Sequence, residues 1–292
     1  MNPPDWKSWL DVDADGEGIR LGGWIPTAGD GPPGVFLHGT GLCTATYQPF
    51  LQELSGSFSL FTLDLPGHGC SSGRFPGFAE TTALVGRVLE RRRQAGNGAP
   101  LVGIGHSAGA VILLKLAARR PDLFSRLILL DPVLFPRPWL AVQALTQVLP
   151  PRARSPFTWR AWHRRDGFAD RDDARRFFHG RGMFASWSPA AFEAFIRYGL
   201  REEGGDLRLD CHPHNETLMF GGSMGRLWLD VADLRLPVRA WYGRETYPWL
   251  PWCLNAAGRS NPLFTPQEIN GSHFFMFENP VEAARQISGD GN

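Results

Sequence analysis

The sequence predicts an α/β fold, a mostly parallel sheet joined by crossover helices, and three observations carry that reading. Short apolar runs alternate with helical patterns, as strands linked by crossovers do. The chain is 43% hydrophobic and 20% charged, enough apolar material to bury a core and too little charge for a disordered chain. Its 34 glycines and 24 prolines make up about a fifth of 292 residues, which points to many loops yet stays below the ~25–30% of low-complexity chains. At about 150 residues per domain, this length fits two domains or one large α/β unit with an insertion.

From the N-terminus, residues 8–25 read as a hairpin: Trp9–Val12, a Gly-rich turn, then Ile19–Leu21. Buried strands follow at Val35–His38, Leu60–Asp64, Leu101–Gly105, Leu127–Asp131 and Val238–Tyr242, with a sixth over Pro262–Ile269. The third runs straight into Ser107 and an apolar helix over Val111–Arg119. The last helix carries a start signal: Asn279 as cap, Pro280 in its first position and Glu282 where a capping-box acid belongs. Between Asp131 and Val238 the texture changes. Prolines punctuate it, aromatics are dense, and stretches such as Ala190–Tyr198 are helical. Residues 133–236 therefore read as an inserted, mainly helical cap on a core formed by 1–132 and 237–292.

Charge and cysteines exclude other classes. A formal charge of +1 gives no footprint for nucleic acid. Only Lys7 and Lys115 are lysines, which reads as coding-DNA composition. Cys43, Cys70, Cys211 and Cys253 form no Cys-x-x-Cys pair. No leader is visible in residues 1–6, and no apolar run reaches the ~18 residues of a membrane span. The expectation is a cytoplasmic protein with reduced thiols.

The strongest chemical signal is Gly105-His106-Ser107-Ala108-Gly109. A serine between glycines, after a buried strand and before a helix, forms a nucleophile elbow. The turn is sharp enough to strain the serine backbone. The flanking glycines let strand and helix approach. The Ala108 N–H, at a helix start, is placed to meet developing negative charge.

Together with His38-Gly39-Thr40-Gly41, Asp64–Ser71 and Gly271-Ser272-His273 followed by Glu278-Asn279-Pro280, this pentapeptide resembles the α/β-hydrolase-fold superfamily of single-cap, esterase-like type. The resemblance covers roughly 35–131 and 237–287. It implies an eight-stranded, mostly parallel sheet with helices on both faces, a Ser–acid–His triad and no cofactor. The loop after the first buried strand would supply the second oxyanion donor, the Thr40 N–H. His273 would be the base that takes the Ser107 proton and returns it to the leaving group. Relatives often carry the acid three residues past the Gly that ends the seventh strand; here that position, after Gly243, is Thr246. The other family placement, after the sixth strand, holds Asp131. Asp131 is the first candidate for the acid and Glu245, one residue early, the alternative. His38, His68 and His106 fit structural roles, His68 alternatively the pocket rim.

Other features read more plainly. Cys211-His212-Pro213-His214 invites a metal, but no further ligands stand at suitable spacing, so a solvated turn is expected. Nine arginines and four aspartates between Arg152 and Arg181 suggest a charged helix face, with Asp172 and Arg176 spaced i,i+4. The cap aromatics divide between core and a lid over Ser107. Trp249 and Trp252 belong to the pocket mouth or to a homodimer surface. The function expected is a serine hydrolase of carboxylic esters with apolar or aromatic groups. The same triad in relatives cleaves carbon–carbon bonds, opens lactones or supports perhydrolysis, and a non-catalytic ligand-binding homologue is the remaining alternative.

Overall fold

The computed structural model describes residues 6–11, 19–26, 29 and 31–289. Residues 1–5, where no leader is expected, and the turn expected over 12–18 lie outside them. A hairpin of β1 (Lys7–Asp11) and β2 (Leu21–Ile25) opens the chain. The strands β3 (Pro33–Leu37), β4 (Ser59–Leu63), β5 (Leu101–His106) and β6 (Phe124–Leu130) follow. Short strands β7 (Gly167–Phe168), β8 (Leu200–Glu203) and β9 (Asp206–Leu209) form a separate antiparallel sheet in the order β7-β9-β8. The last strands are β10 (Val238–Gly243) and β11 (Phe264–Ile269).

The central sheet has the order β11-β10-β6-β5-β3-β4 and is parallel throughout. It has six ladder strands where eight are expected. The hairpin lies along β4 without extending its ladder: the Trp24 N–H donates to the Thr62 side-chain hydroxyl (3.0 Å), and a single main-chain bond runs from Asp64 N to Gly22 O (2.8 Å).

Helices cover both faces. Their ranges are α1 (Gln48–Leu54), α2 (Phe78–Ala95), α3 (Ala108–Arg119), α4 (Arg137–Leu145), α5 (Pro156–Trp162), α6 (Arg171–Phe178), α7 (Pro189–Tyr198), α8 (Pro213–Gly221), α9 (Leu227–Ala232), α10 (Leu250–Ser260), α11 (Phe275–Glu278) and α12 (Pro280–Gly289). Strand alternation sorts the core. Val35, Leu37, Leu127 and Leu129 pack with α2, α3, α9 and α10, while Phe36, Ile128 and Leu130 face α1 and α12. Within α9, Asp230 forms a buried ion pair with Lys115 of α3 (2.6 Å). Asn279 caps α12 by accepting from Glu282 N (3.3 Å), but the Glu282 side chain turns to Arg285 and Gln286 instead of closing a capping box.

Candidate active site

Ser107 sits at the bend from β5 into α3 with φ 52° and ψ −114°, a conformation rare for a non-glycine residue. Its N–H is tied to Leu130 O (2.9 Å). The flanking glycines are steric necessities: a Cβ on Gly105 would stand 2.8 Å from Ala110 N, and one on Gly109 2.5 Å from Leu37 O. The helix can begin this close to the sheet only with hydrogen in both places.

Asp131 directly follows β6, next to β5 in the sheet, and is the second non-glycine residue with positive φ among those described, at 46°. Its carboxylate is fully buried and collects three donors. Gly243 N meets Oδ1 at 3.0 Å, while the Thr246 hydroxyl and His273 Nδ1 each meet Oδ2 at 2.5 Å. Thr246, which stands where the usual acid is missing, donates to the Asp131 carboxylate instead. Glu245 is exposed, gives its N–H to Gly271 O (2.9 Å), and has no hydrogen bond to His273 among the described residues. The geometry joins His273 to Asp131 and leaves Glu245 apart.

The His273 loop is held from below. Glu278 accepts from Ser272 N (3.0 Å) and from the Ser272 hydroxyl (2.5 Å), and Gly271 adopts φ 114° beside it. With Nδ1 on Asp131, His273 keeps Nε2 as its other ring nitrogen. Ser107 and His273 line the same cavity. No hydrogen bond between their side chains is formed among the described residues; such bonds are often long before substrate binds.

His106 ties the loops together. The Gly39 N–H donates to Tyr47 Oη (2.9 Å), the Tyr47 hydroxyl to His106 Nδ1 (2.7 Å), and His106 Nε2–H to His273 O (3.0 Å). This order fixes the His106 tautomer, and burial holds its pKa well below the usual histidine range, so the ring is neutral. His38 is likewise structural: Nε2 accepts from Leu65 N (2.9 Å), Nδ1 donates to Gly39 O (2.8 Å), and burial lowers its pKa to about 4. His68 is buried and its pKa is lowered to about 3 by desolvation; it is not part of the cavity wall. Asp64 anchors the same turn by accepting from Thr44 N (2.7 Å) and Cys70 N (2.9 Å).

The cavity above Ser107 has a volume of about 120 Å³. Thr40 and Ala108 form part of its floor. Phe157, Met183, Met219, Phe220 and Met224 come from between β6 and β10, and Tyr247 and Trp249 follow β10. Burial, with the Asp131 charge adding to it, raises the Tyr247 pKa, so the phenol stays protonated. Phe135, Phe157 and Phe220 also line a second groove of about 370 Å³ between α4 and α5. Trp249 is thus a wall residue, whereas Trp252 is 60% exposed.

Cys211–His214 are not the solvated turn expected: Cys211 and Pro213 are buried, and His212 caps α8 with Nδ1 accepting from His214 N (3.1 Å). On α6, Asp172 pairs with Arg175 and not with Arg176, while Arg175 also reaches Glu193 (2.8 Å). Tyr47 and Glu216 are site residues that sequence reading misses, because each acts on a residue that no local pattern connects to it; Glu278 stands in the quoted motif, but its grip on Ser272 is not read there. No helix among the described residues is long and apolar enough to cross a membrane.

A sequence profile of the alpha/beta hydrolase family matches residues 35–286, and the chain belongs to that family. Curated relatives include (E)-2-((N-methylformamido)methylene)succinate hydrolase of Acinetobacter baylyi, 31% identical over 41% of this chain and 44% of that one. Human monoglyceride lipase is 30% identical over 48% of this chain and 50% of that one. The matched stretches span about half the length of these relatives or less. Among solved structures, E-2-(acetamidomethylene)succinate hydrolase superposes with a TM-score of 0.77 at 21% identity, over 97% of this chain and 98% of that one. The thioesterase domain from the curacin biosynthetic pathway gives 0.70 at 16%, over 97% and 98%. At these identities the likeness is one of fold.

Proposed function

We propose that the protein is a serine hydrolase of carboxylic esters bearing apolar or aromatic groups. The observation that carries this reading is the bond that His273 Nδ1 donates to Asp131 Oδ2 at the cavity into which the strained Ser107 elbow projects. Ser107 Oγ attacks the ester carbonyl carbon as His273 Nε2 takes its proton. Asp131 orients the ring and stabilises the imidazolium. The tetrahedral oxyanion is received by the N–H groups of Thr40 and Ala108. Collapse breaks the carbon–oxygen bond, and His273 returns the proton to the departing alcohol. Water, deprotonated by His273, then cleaves the acyl-enzyme and restores Ser107.

Residues 133–236 act as the cap. Their Phe and Met side chains enclose the reacting carbonyl and limit water, and the adjoining groove takes the apolar part of the substrate. The end of this segment, α9, is anchored to the core through Asp230 and Lys115. The four free thiols fit a reducing cytoplasm. The test is a panel of p-nitrophenyl esters together with a fluorophosphonate probe. Ester turnover and a covalent adduct on Ser107 are expected, and Ser107→Ala should lose about 10⁶-fold in kcat. Folded protein that neither turns over any ester nor takes the probe would sink the reading.

A further inference from the structure

One charged side chain in the cavity has no part in the chemistry above. Glu216, in α8, is the one carboxylate among the described residues lining the Ser107 cavity. It is 7% exposed, and a carboxylate in so apolar a wall needs a partner. Arg164 supplies one, with Nη1 2.6 Å from Oε2. Oε1 receives no hydrogen bond among the described residues, and it is not sealed away from solvent. It lies against the turn that holds Thr40: a Cβ on Gly41 would come within 3.0 Å of it, and Gly41 has φ +77°. A glycine there makes room for the carboxylate beside the loop assigned to the oxyanion.

We infer that Glu216 Oε1 is a specificity-determining acceptor for a substrate that carries a hydroxyl or amide N–H near the scissile ester; this rests on the hydrolase reading. Arg164 balances the charge of Glu216, so the pair is neutral as a unit and favours an uncharged donor over a free ammonium. In an apolar cavity an isosteric substrate with methyl in place of hydroxyl leaves Oε1 desolvated and unpaired, which is how such sites discriminate.

The test compares kcat/KM within two isosteric pairs: 2-hydroxyethyl against propyl butanoate, and p-nitrophenyl 3-hydroxybutanoate against p-nitrophenyl 3-methylbutanoate. The wild type should favour the hydroxyl member of at least one pair by roughly 10- to 100-fold. Glu216→Leu should bring that ratio to about one, with Glu216→Gln in between because a neutral acceptor bonds more weakly. The Gln variant keeps the side-chain shape and carries the same test if the Leu variant fails to fold. A ratio unchanged by either substitution overturns the inference, since a structural role would lower both members together. Wild-type ratios near one in both pairs also overturn it. Absence of all turnover, with Ser107 unlabelled by the fluorophosphonate, is the failure of the hydrolase reading itself.

Discussion

The rim of the central sheet and the segment between β6 and β10 hold their residues in place by different physics. At the rim, backbone does the positioning. Ser107 and Asp131 both sit at positive φ, on adjacent strands, and glycines stand wherever a Cβ would strike a main-chain atom. Between β6 and β10, rings do the positioning. Phe184 touches Trp187, Phe192 and Phe195, with centroids 4.5–5.8 Å apart, and Trp187 stacks on Phe277 at 3.9 Å. A rigid backbone tolerates almost no change of residue type, whereas an aromatic cluster accepts any set of rings that fills the volume.

The sharpest way to break this comparison is Asp131→Asn. If β6 supplies the carboxylate, kcat should fall about 10⁴-fold, as when a triad histidine is given the wrong partner, while Glu245→Gln should stay within about twofold. Steady-state hydrolysis of one ester measures both, and the opposite ranking would return the role to Glu245. Next comes stability. Gly109→Ala adds one methyl against Leu37 O and should destabilise by more than about 3 kcal/mol in urea unfolding. Phe192→Leu removes far more atoms from the ring cluster yet should cost only about 1.5 kcal/mol, because its neighbours can close in. Equal costs would erase the distinction.

A pH-dependent effect lies where the two regions meet. Asp210, just after β9, accepts from Gly69 N of the core (2.6 Å), and burial raises its carboxyl from 3.8 to about 6. The folded state therefore binds the proton more tightly than the unfolded chain does. This contribution to stability is complete below pH 3.8 and is lost as pH rises through about 6. Asp210→Asn should remove that component, so the stability difference between variant and wild type should change across this window and level off above it. A constant difference from pH 4 to pH 7 would count against the linkage.

The same contrast explains what can be read in the sequence. The Ser107 elbow is legible because its geometry admits few residue types, and the inner strands β3, β5 and β6 are legible because burial on both faces makes them apolar runs, whereas the edge strand β11 is largely polar. Asp131 is harder, since an Asp that ends a strand is common; its positive φ is visible only in three dimensions. The sheet β7-β9-β8 is missed because Leu200–Glu203 and Asp206–Leu209 are largely polar. Gly204-Gly205 between them, both at positive φ, is a hairpin signal that could have found it. Tyr47 leaves no local trace: its hydroxyl matters only because folding brings Gly39 and His106 to either side of it.

Housing the carboxylate on β6 has a further consequence. The end of β10 and the connection after it meet Asp131 through a main-chain N–H, at Gly243, and a hydroxyl, at Thr246, and the chain then passes at once to Tyr247 and Trp249. The Tyr247 ring packs on His273 with centroids 5.0 Å apart and has to stay, whereas new ring shapes can be grafted at Trp249 without touching the groups that bond Asp131, which makes that position the natural place to re-engineer substrate preference.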